Sequence, residues 1–215
     1  MTIASDRAES TLIDDDVRIG YRSDRPEVPD LFLLGEGARL RSGCVLYAGS
    51  RIGARFSAGH HVIVREECEV GDDVSIWSNT VIDHHCRIGD GVKIHTGCYV
   101  AQFTEICDHA FLAPGVSIAN DLYPGRQASS QVQAGAYIGP GAQIGVNSTL
   151  LPFVTIGPGA IIGAGSVVTR DVPAGAVAYG VPARIGGHVE DLVDINQRIE
   201  THDGSMQRFR LRGAR

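Results

Sequence analysis

From Leu34 onward every sixth residue is apolar. The series runs Leu34, Leu40, Leu46, Ile52, Ala58, Val64, Val70, Ile76, Ile82, Ile88, Ile94, Val100, Ile106, Leu112 and Ile118. It breaks, then resumes as Ile138, Ile144, Leu150, Ile156, Ile162 and Val168. A helix repeats its apolar residues at spacings of three and four, and a half-buried strand at every second position. A strict period of six matches neither. It matches a parallel β-helix of hexapeptide repeats, in which three short flats close one triangular coil of about eighteen residues.

A second column runs two residues ahead of the first. Ala38, Cys44, Ser50, Val62, Cys68, Val74, Thr80, Cys86, Val92, Cys98, Thr104, Ala110 and Val116 are all small or slim, and Ala142, Ser148, Val154, Ala160 and Ser166 continue the series. Residues two apart on a strand point the same way, so both columns face inward. The larger residue fills the prism and the smaller one lets the chain turn. Phe56 is the bulky exception, and it precedes Ala58, the smallest apolar residue, which reads as a volume swap. Glycine directly after the apolar residue (Gly71, Gly89, Gly139, Gly145, Gly157, Gly163) is expected to supply unusual φ values at tight corners. The predicted fold is therefore an all-β solenoid, a left-handed parallel β-helix with one ejected loop and a C-terminal helix.

Three segments follow from this pattern. Residues 1–33 are acidic and irregular and form an N-terminal arm or capping coil. Residues 34–187 form the β-helix, with a polar, turn-rich loop over 119–136. From Ile118 to Ile138 is twenty residues, where eighteen would keep the prism in phase. A solenoid has no folding reason to eject such a loop, so an excursion over a neighbouring surface is expected. Residues 188–215 hold helix-like apolar spacing (Leu192, Ile195, Ile199), which predicts a capping helix, and a basic tail with Arg208, Arg210, Arg212 and Arg215.

Composition narrows the class. The 215 residues suffice for one domain with a large core, and 27 glycines suit a corner every six residues. A net charge of −6 with no basic stripe argues against nucleic-acid binding. No run is long and apolar enough to span a membrane, and the first thirty residues are too polar for a signal peptide, so a cytoplasmic location is expected. Of the five cysteines, Cys44, Cys68, Cys86 and Cys98 lie in the slim inward column as small hydrophobes. Cys107 stands at a flank, and no zinc-type spacing is present.

An eighteen-residue coil tells which polar residues stack. His84, Gln102 and Asn120 form one column, with Asn120 at the mouth of the loop, and His85, Phe103 and Asp121 form the next. Another flat stacks Trp77 on His95 and Ala113. Histidine, asparagine and aspartate beside an ejected loop are what acyl transfer needs: a base or orienting group for the nucleophile and a donor for the developing oxyanion. A zinc site of the γ-carbonic-anhydrase kind would need three neutral imidazoles. His84 could supply the first, but Asn120 stands two coils on, so no metal is expected.

These residues resemble the hexapeptide-repeat acyltransferases, and more narrowly the nucleotide-linked 3-amino-sugar N-acetyltransferases. The likeness spans residues 35–187. It is carried by the coils, by Ser117-Ile118-Ala119-Asn120-Asp121-Leu122-Tyr123-Pro124, by Gly163-Ala164-Gly165-Ser166-Val167-Val168-Thr169 with Asp171-Val172-Pro173, and by Gly180-Val181-Pro182-Ala183-Arg184. The resemblance implies a homotrimer with sites between subunits, acetyl-CoA or another acyl-CoA as co-substrate, and a UDP- or dTDP-linked amino sugar whose amine attacks the thioester directly. His84, Asn120 and Asp121 then take the catalytic roles, with Gln102, Tyr123 and His95 toward the sugar nucleotide. Ala142, Ala160, Ala164, Thr169, Arg170 and Arg184 lie toward CoA, the arginines suiting phosphate. In the sugar O-acetyltransferases a histidine precedes the loop proline; here Tyr123 precedes Pro124, and a tyrosine is a poor base near neutrality. The amine acceptor is the preferred reading. The alternatives are O-acetylation of a sugar or other small alcohol, and a non-catalytic β-helix scaffold.

Overall fold

The computed structural model describes residues 11–126 and 132–192. Most strands are two residues long, and every third one stacks into the same sheet, giving a left-handed β-helix whose three faces are parallel sheets of ten, eight and seven strands, the first closed by one antiparallel pair. Adjacent coils keep an 18-residue register: Ser57 pairs with Ser75, Ser75 with Lys93.

Both inward columns are buried. From Leu40 to Val168 no member of the apolar column exceeds 6% exposure, and Phe56 and Ala58 are shut in together. The slim column also bonds. Ser50 donates to the Arg65 carbonyl (2.7 Å), Thr80 to that of His95 (2.9 Å), Cys86 to that of Ala101 (3.2 Å) and Ser148 to that of Gly163 (3.0 Å). The cysteines are therefore weak donors as well as small hydrophobes. All five are free, and Cys107 is half-buried.

The corners correct the expectation for glycine. The left-handed residue stands three positions after the apolar one, and it is often not glycine: His61, Glu67, Asp73, Asn79, His85, Phe103, His109, Asn147 and Phe153 all have φ between 55° and 66°. The glycines directly after the apolar residue serve close stacking instead. A Cβ on Gly145 would lie 2.5 Å from the Ala164 nitrogen, and one on Gly139 2.7 Å from that of Pro158.

The chain leaves the prism after the strand Ser117–Ile118 and rejoins it at Tyr137–Ile138, the bounds expected for the loop. Ile88 pairs with Ile106 one regular coil on, but Ile106 pairs next with Ile138, so more than two flats' worth of chain leaves the prism. A looped-out segment need not preserve a multiple of six, because its ends close on the solenoid through their own bonds. The Asn120 carbonyl accepts from the Ala134 N–H at 3.2 Å.

At the N-terminal end, Leu12–Ile13 and Arg18–Tyr21 pair in parallel with Arg39–Leu40 and Val45–Tyr47, so the first coil begins well before Leu34. At the other end the prism is closed by the antiparallel pair Ala176–Gly180 and Ala183–His188, followed by a 3₁₀ turn over Val189–Asp191. The remainder of the expected helix, Ile195 and Ile199 included, and the basic tail lie outside the described residues.

Candidate active site

Val81–Ile82, Tyr99–Val100 and Ser117–Ile118 are successive strands of the eight-stranded face. The residues leaving them turn the same corner, which brings His84, Gln102 and Asn120 together. Asn120 Nδ2 donates to Gln102 Oε1 in a short hydrogen bond. With its carbonyl on Ala134, Asn120 ties both ends of the loop to the column. His84 is half-buried; its ring meets Phe103 edge-on at 5.6 Å, and its Nδ1 lies 2.8 Å from His85 Nδ1. Burial pushes the His84 pKa below the ordinary histidine value; Asp83 opposes this, while His85 and Arg25 add to it. The ring is thus biased toward the neutral, proton-accepting form.

The same columns extend one coil further back, to Glu66 and Glu67. Glu66 has no exposed surface and receives two hydrogen bonds from Arg65, at 2.8 and 3.0 Å. Burial would raise its pKa, but the Arg65 hydrogen bonds, its own backbone and the guanidinium charge outweigh burial and hold it at about 2. Glu67 Oε2 lies 3.2 Å from His85 Nε2 and 2.9 Å from Arg25 Nη1. Asp83 accepts from the His84 backbone N–H and from the Tyr99 hydroxyl, both at 2.8 Å. Burial and that hydrogen bond push Tyr99 up to about 12. A chain of alternating charge therefore runs behind the two histidines.

The other predicted residues fall into place unevenly. Asp121 caps the loop's first turn, accepting from the Tyr123 N–H at 2.8 Å, and Tyr123 is exposed beside Arg126. His95 turns a different corner from His84, where it stacks on Trp77 at 4.2 Å and meets Phe111 at 5.0 Å. A single chain does not unite it with His84. Ala142 and Ala160 belong to the fully buried slim column, with N–H and C=O both bonded inside the solenoid. That narrows the candidate CoA contacts to Ala164, Thr169, Arg170 and Arg184. Arg170 stands on the same corner as Asn120, two coils further on, because Ile118 pairs with Leu150 and Leu150 with Val168. Ala164 and Arg184 are exposed.

Glu66, Glu67, Asp83, Arg25, Arg65 and Tyr99 escaped the sequence reading. Counting eighteen residues back from His84 and His85 would have found the two glutamates. Arg25 left no such trace, because the arm that carries it departs from the register.

Residues 85–120 and 135–170 match the bacterial transferase hexapeptide (six repeats) family. Nodulation protein L of Rhizobium meliloti (strain 1021) is 49% identical over 92 residues, 41% of this chain. The matched stretch spans half of that relative's length. Among solved structures, the polySia specific acetyltransferase NeuO superposes with a TM-score of 0.56 at 19% identity, over 91% of this chain and 92% of its own, which shows the shared fold. Perosamine N-acetyltransferase from Caulobacter crescentus, in complex with CoA and GDP-perosamine, is 28% identical with a TM-score of 0.40, over 69% of this chain and 58% of that one. Among the described residues no helix is long and apolar enough to cross a membrane.

Proposed function

We propose that this protein transfers an acetyl group from acetyl-CoA to the amino group of a nucleotide-linked amino sugar. The observation that carries the reading is a half-buried, neutral-biased His84 on the same corner column as the Gln102–Asn120 pair at the root of the loop. The amine lone pair attacks the thioester carbonyl, forming the C–N bond. The C–S bond then breaks and the CoA thiolate leaves. His84 takes the proton from nitrogen and passes it to the departing sulfur, so the imidazole ends neutral. The Asn120 carboxamide, braced by Gln102, donates to the developing oxyanion. Asp121 orders the first turn of the loop, and Arg170 and Arg184 offer guanidinium groups to the CoA phosphates.

The hexapeptide family match and the likeness to Nodulation protein L support a transferase. Exposed Tyr123, standing before Pro124, supports the amine over a hydroxyl acceptor, because it supplies no loop base for an alcohol. Assembly as a homotrimer would close the exposed corner against a neighbouring prism and give His95 a site to serve.

Thiol release from acetyl-CoA, followed with Ellman's reagent across UDP- and dTDP-linked amino sugars and simple sugar alcohols, tests the reading. Turnover with a nucleotide-linked amine is the expected result. Turnover confined to hydroxyl acceptors overturns N-acylation, and absence of both CoA binding and turnover favours a scaffold.

A further inference from the structure

Behind the candidate base lies a second layer that the acyl-transfer reading leaves unused. Glu67, His85 and Phe103 occupy successive left-handed corners, with φ of 58°, 57° and 61°. That backbone geometry stacks their side chains in one column beside Glu66, His84 and Gln102. Glu67 Oε2 is closed off from solvent and accepts no hydrogen bond, and it lies within ion-pair distance of His85 Nε2 (3.2 Å) and Arg25 Nη1 (2.9 Å). His85 Nδ1 meets His84 Nδ1 at 2.8 Å. Phe103 covers both rings, 5.2 Å from His85 and 5.6 Å from His84.

Arg25 comes from the segment between the strands Arg18–Tyr21 and Leu33–Leu34. Its neighbour Val28 lies over Gly49, where any Cβ would come within 2.8 Å of Val28 Cγ1. The Gly49 N–H reaches the Leu31 carbonyl at 2.7 Å, which pins the returning end of the arm one coil before Glu67. The N-terminal arm is thus seated where its guanidinium meets the corner column.

We propose that Glu67 and His85, anchored by Arg25, are positioning residues that fix His84 in the tautomer with its proton on Nδ1 and its lone pair on Nε2. The Glu67 carboxylate oxygen, so close to His85 Nε2, would repel a lone pair there, so His85 carries its proton on Nε2. A neutral His85 then holds its lone pair on Nδ1. Of the two facing Nδ1 atoms one must donate across so short a gap, and only His84 has a proton to give. Its Nε2 is left bare, as a base requires. When His84 takes up a substrate proton, the imidazolium keeps donating to His85, and the Glu67 charge stabilises it from behind. Asp83, Glu66 and Arg25 face His84; Glu67 faces His85; Arg65 and Tyr99 act through Asp83.

Only the use of the Nε2 lone pair rests on the acyl-transfer reading; the tautomer stands independently of it. The test is ¹⁵N NMR of the full-length protein with labelled histidine near pH 8. It compares wild type with His85→Asn, which tolerates a left-handed corner, and with the near-isosteric Glu67→Gln. The expected result is a protonated Nδ1 and bare Nε2 on His84, lost in His85→Asn. In both variants kcat falls about tenfold or more with KM nearly unchanged, as for a base left in the wrong tautomer. In Glu67→Gln the rising limb of the pH profile also moves lower. A bare Nδ1 on wild-type His84, or a His85→Asn enzyme with unchanged kcat and pH profile, overturns the proposal. If no acceptor turns over, the NMR comparison decides alone.

Discussion

Arg65 closes on Glu66 through two charge-assisted hydrogen bonds, Nε to Oε2 at 2.8 Å and Nη2 to Oε1 at 3.0 Å, around a carboxyl with no exposed surface. A folded-state pKa of about 2 against an ordinary value of 4.5 makes this pair a source of stability above pH 4.5 that drains away as pH falls toward 2. The shift corresponds to an effect on the order of 3 kcal/mol. In urea unfolding at pH 7, Glu66→Gln is expected to be clearly less stable than wild type. By pH 3 the gap should narrow, because wild type is then losing what the variant never had. A constant gap would assign the loss to packing alone.

Phe56 and Ala58 test the volume swap inside the prism. Both are buried within two residues of each other, so Phe56→Val alone leaves a cavity and Ala58→Ile alone overpacks. Each is expected to cost about 1–3 kcal/mol. The double variant, which restores the pattern of the other flats, should recover most of the loss. A double-mutant cycle by thermal unfolding measures this, and strict additivity would show that the two positions do not share space.

Phe103 and Phe153 hold the same strained backbone for different returns. Both have positive φ and are partly exposed, a conformation that costs a bulky residue about 1–2 kcal/mol and that asparagine tolerates. Phe153→Asn should therefore raise stability, by up to about 1 kcal/mol. Phe103→Asn removes the ring lying on His84 and His85, so its activity is expected to fall whatever its stability does. Measuring melting temperature and kcat together separates the two cases.

His84 and Asn120 should respond differently to pH. The depressed His84 pKa places the rising limb of kcat/KM below the ordinary histidine value of 6.5, with a plateau through neutrality. His84→Ala should abolish that limb and lower kcat by about 10²–10⁴ with the fold intact. Asn120→Ala should lower kcat by about 10²–10³ and leave the limb in place, since it removes a donor and not a base. A limb unmoved in His84→Ala would assign the titration elsewhere.

Much of this was legible in the chain. A hexapeptide coil repeats a local rule, so Ile82, Val100 and Ile118 announce their own stacking, and with it the meeting of His84, Gln102 and Asn120. The same rule placed Trp77 against His95. It failed where contacts leave the register. The pattern assigned left-handed φ to glycines directly after the apolar residue, whereas those corners lie two positions further on, at Glu67, His85 and Phe103 among others. It bounded the loop but not the end-to-end bonds that hold it, such as Asn120 to Ala134. It left residues 1–33 open between an arm and a capping coil, because the first coil carries few buried residues to mark it.

The sequence by itself determined the triangular solenoid, its inward columns and the corner at which the chemistry gathers, because strand stacking turns sequence spacing directly into neighbourhood. Only the tertiary structure decided that Arg25 reaches Glu67, that the backbone groups of Ala142 and Ala160 are already used inside the solenoid, and that His84 and His85 meet nitrogen to nitrogen. Those relations depend on side-chain direction and on an arm that folds back across coils, and no periodicity along the chain encodes either.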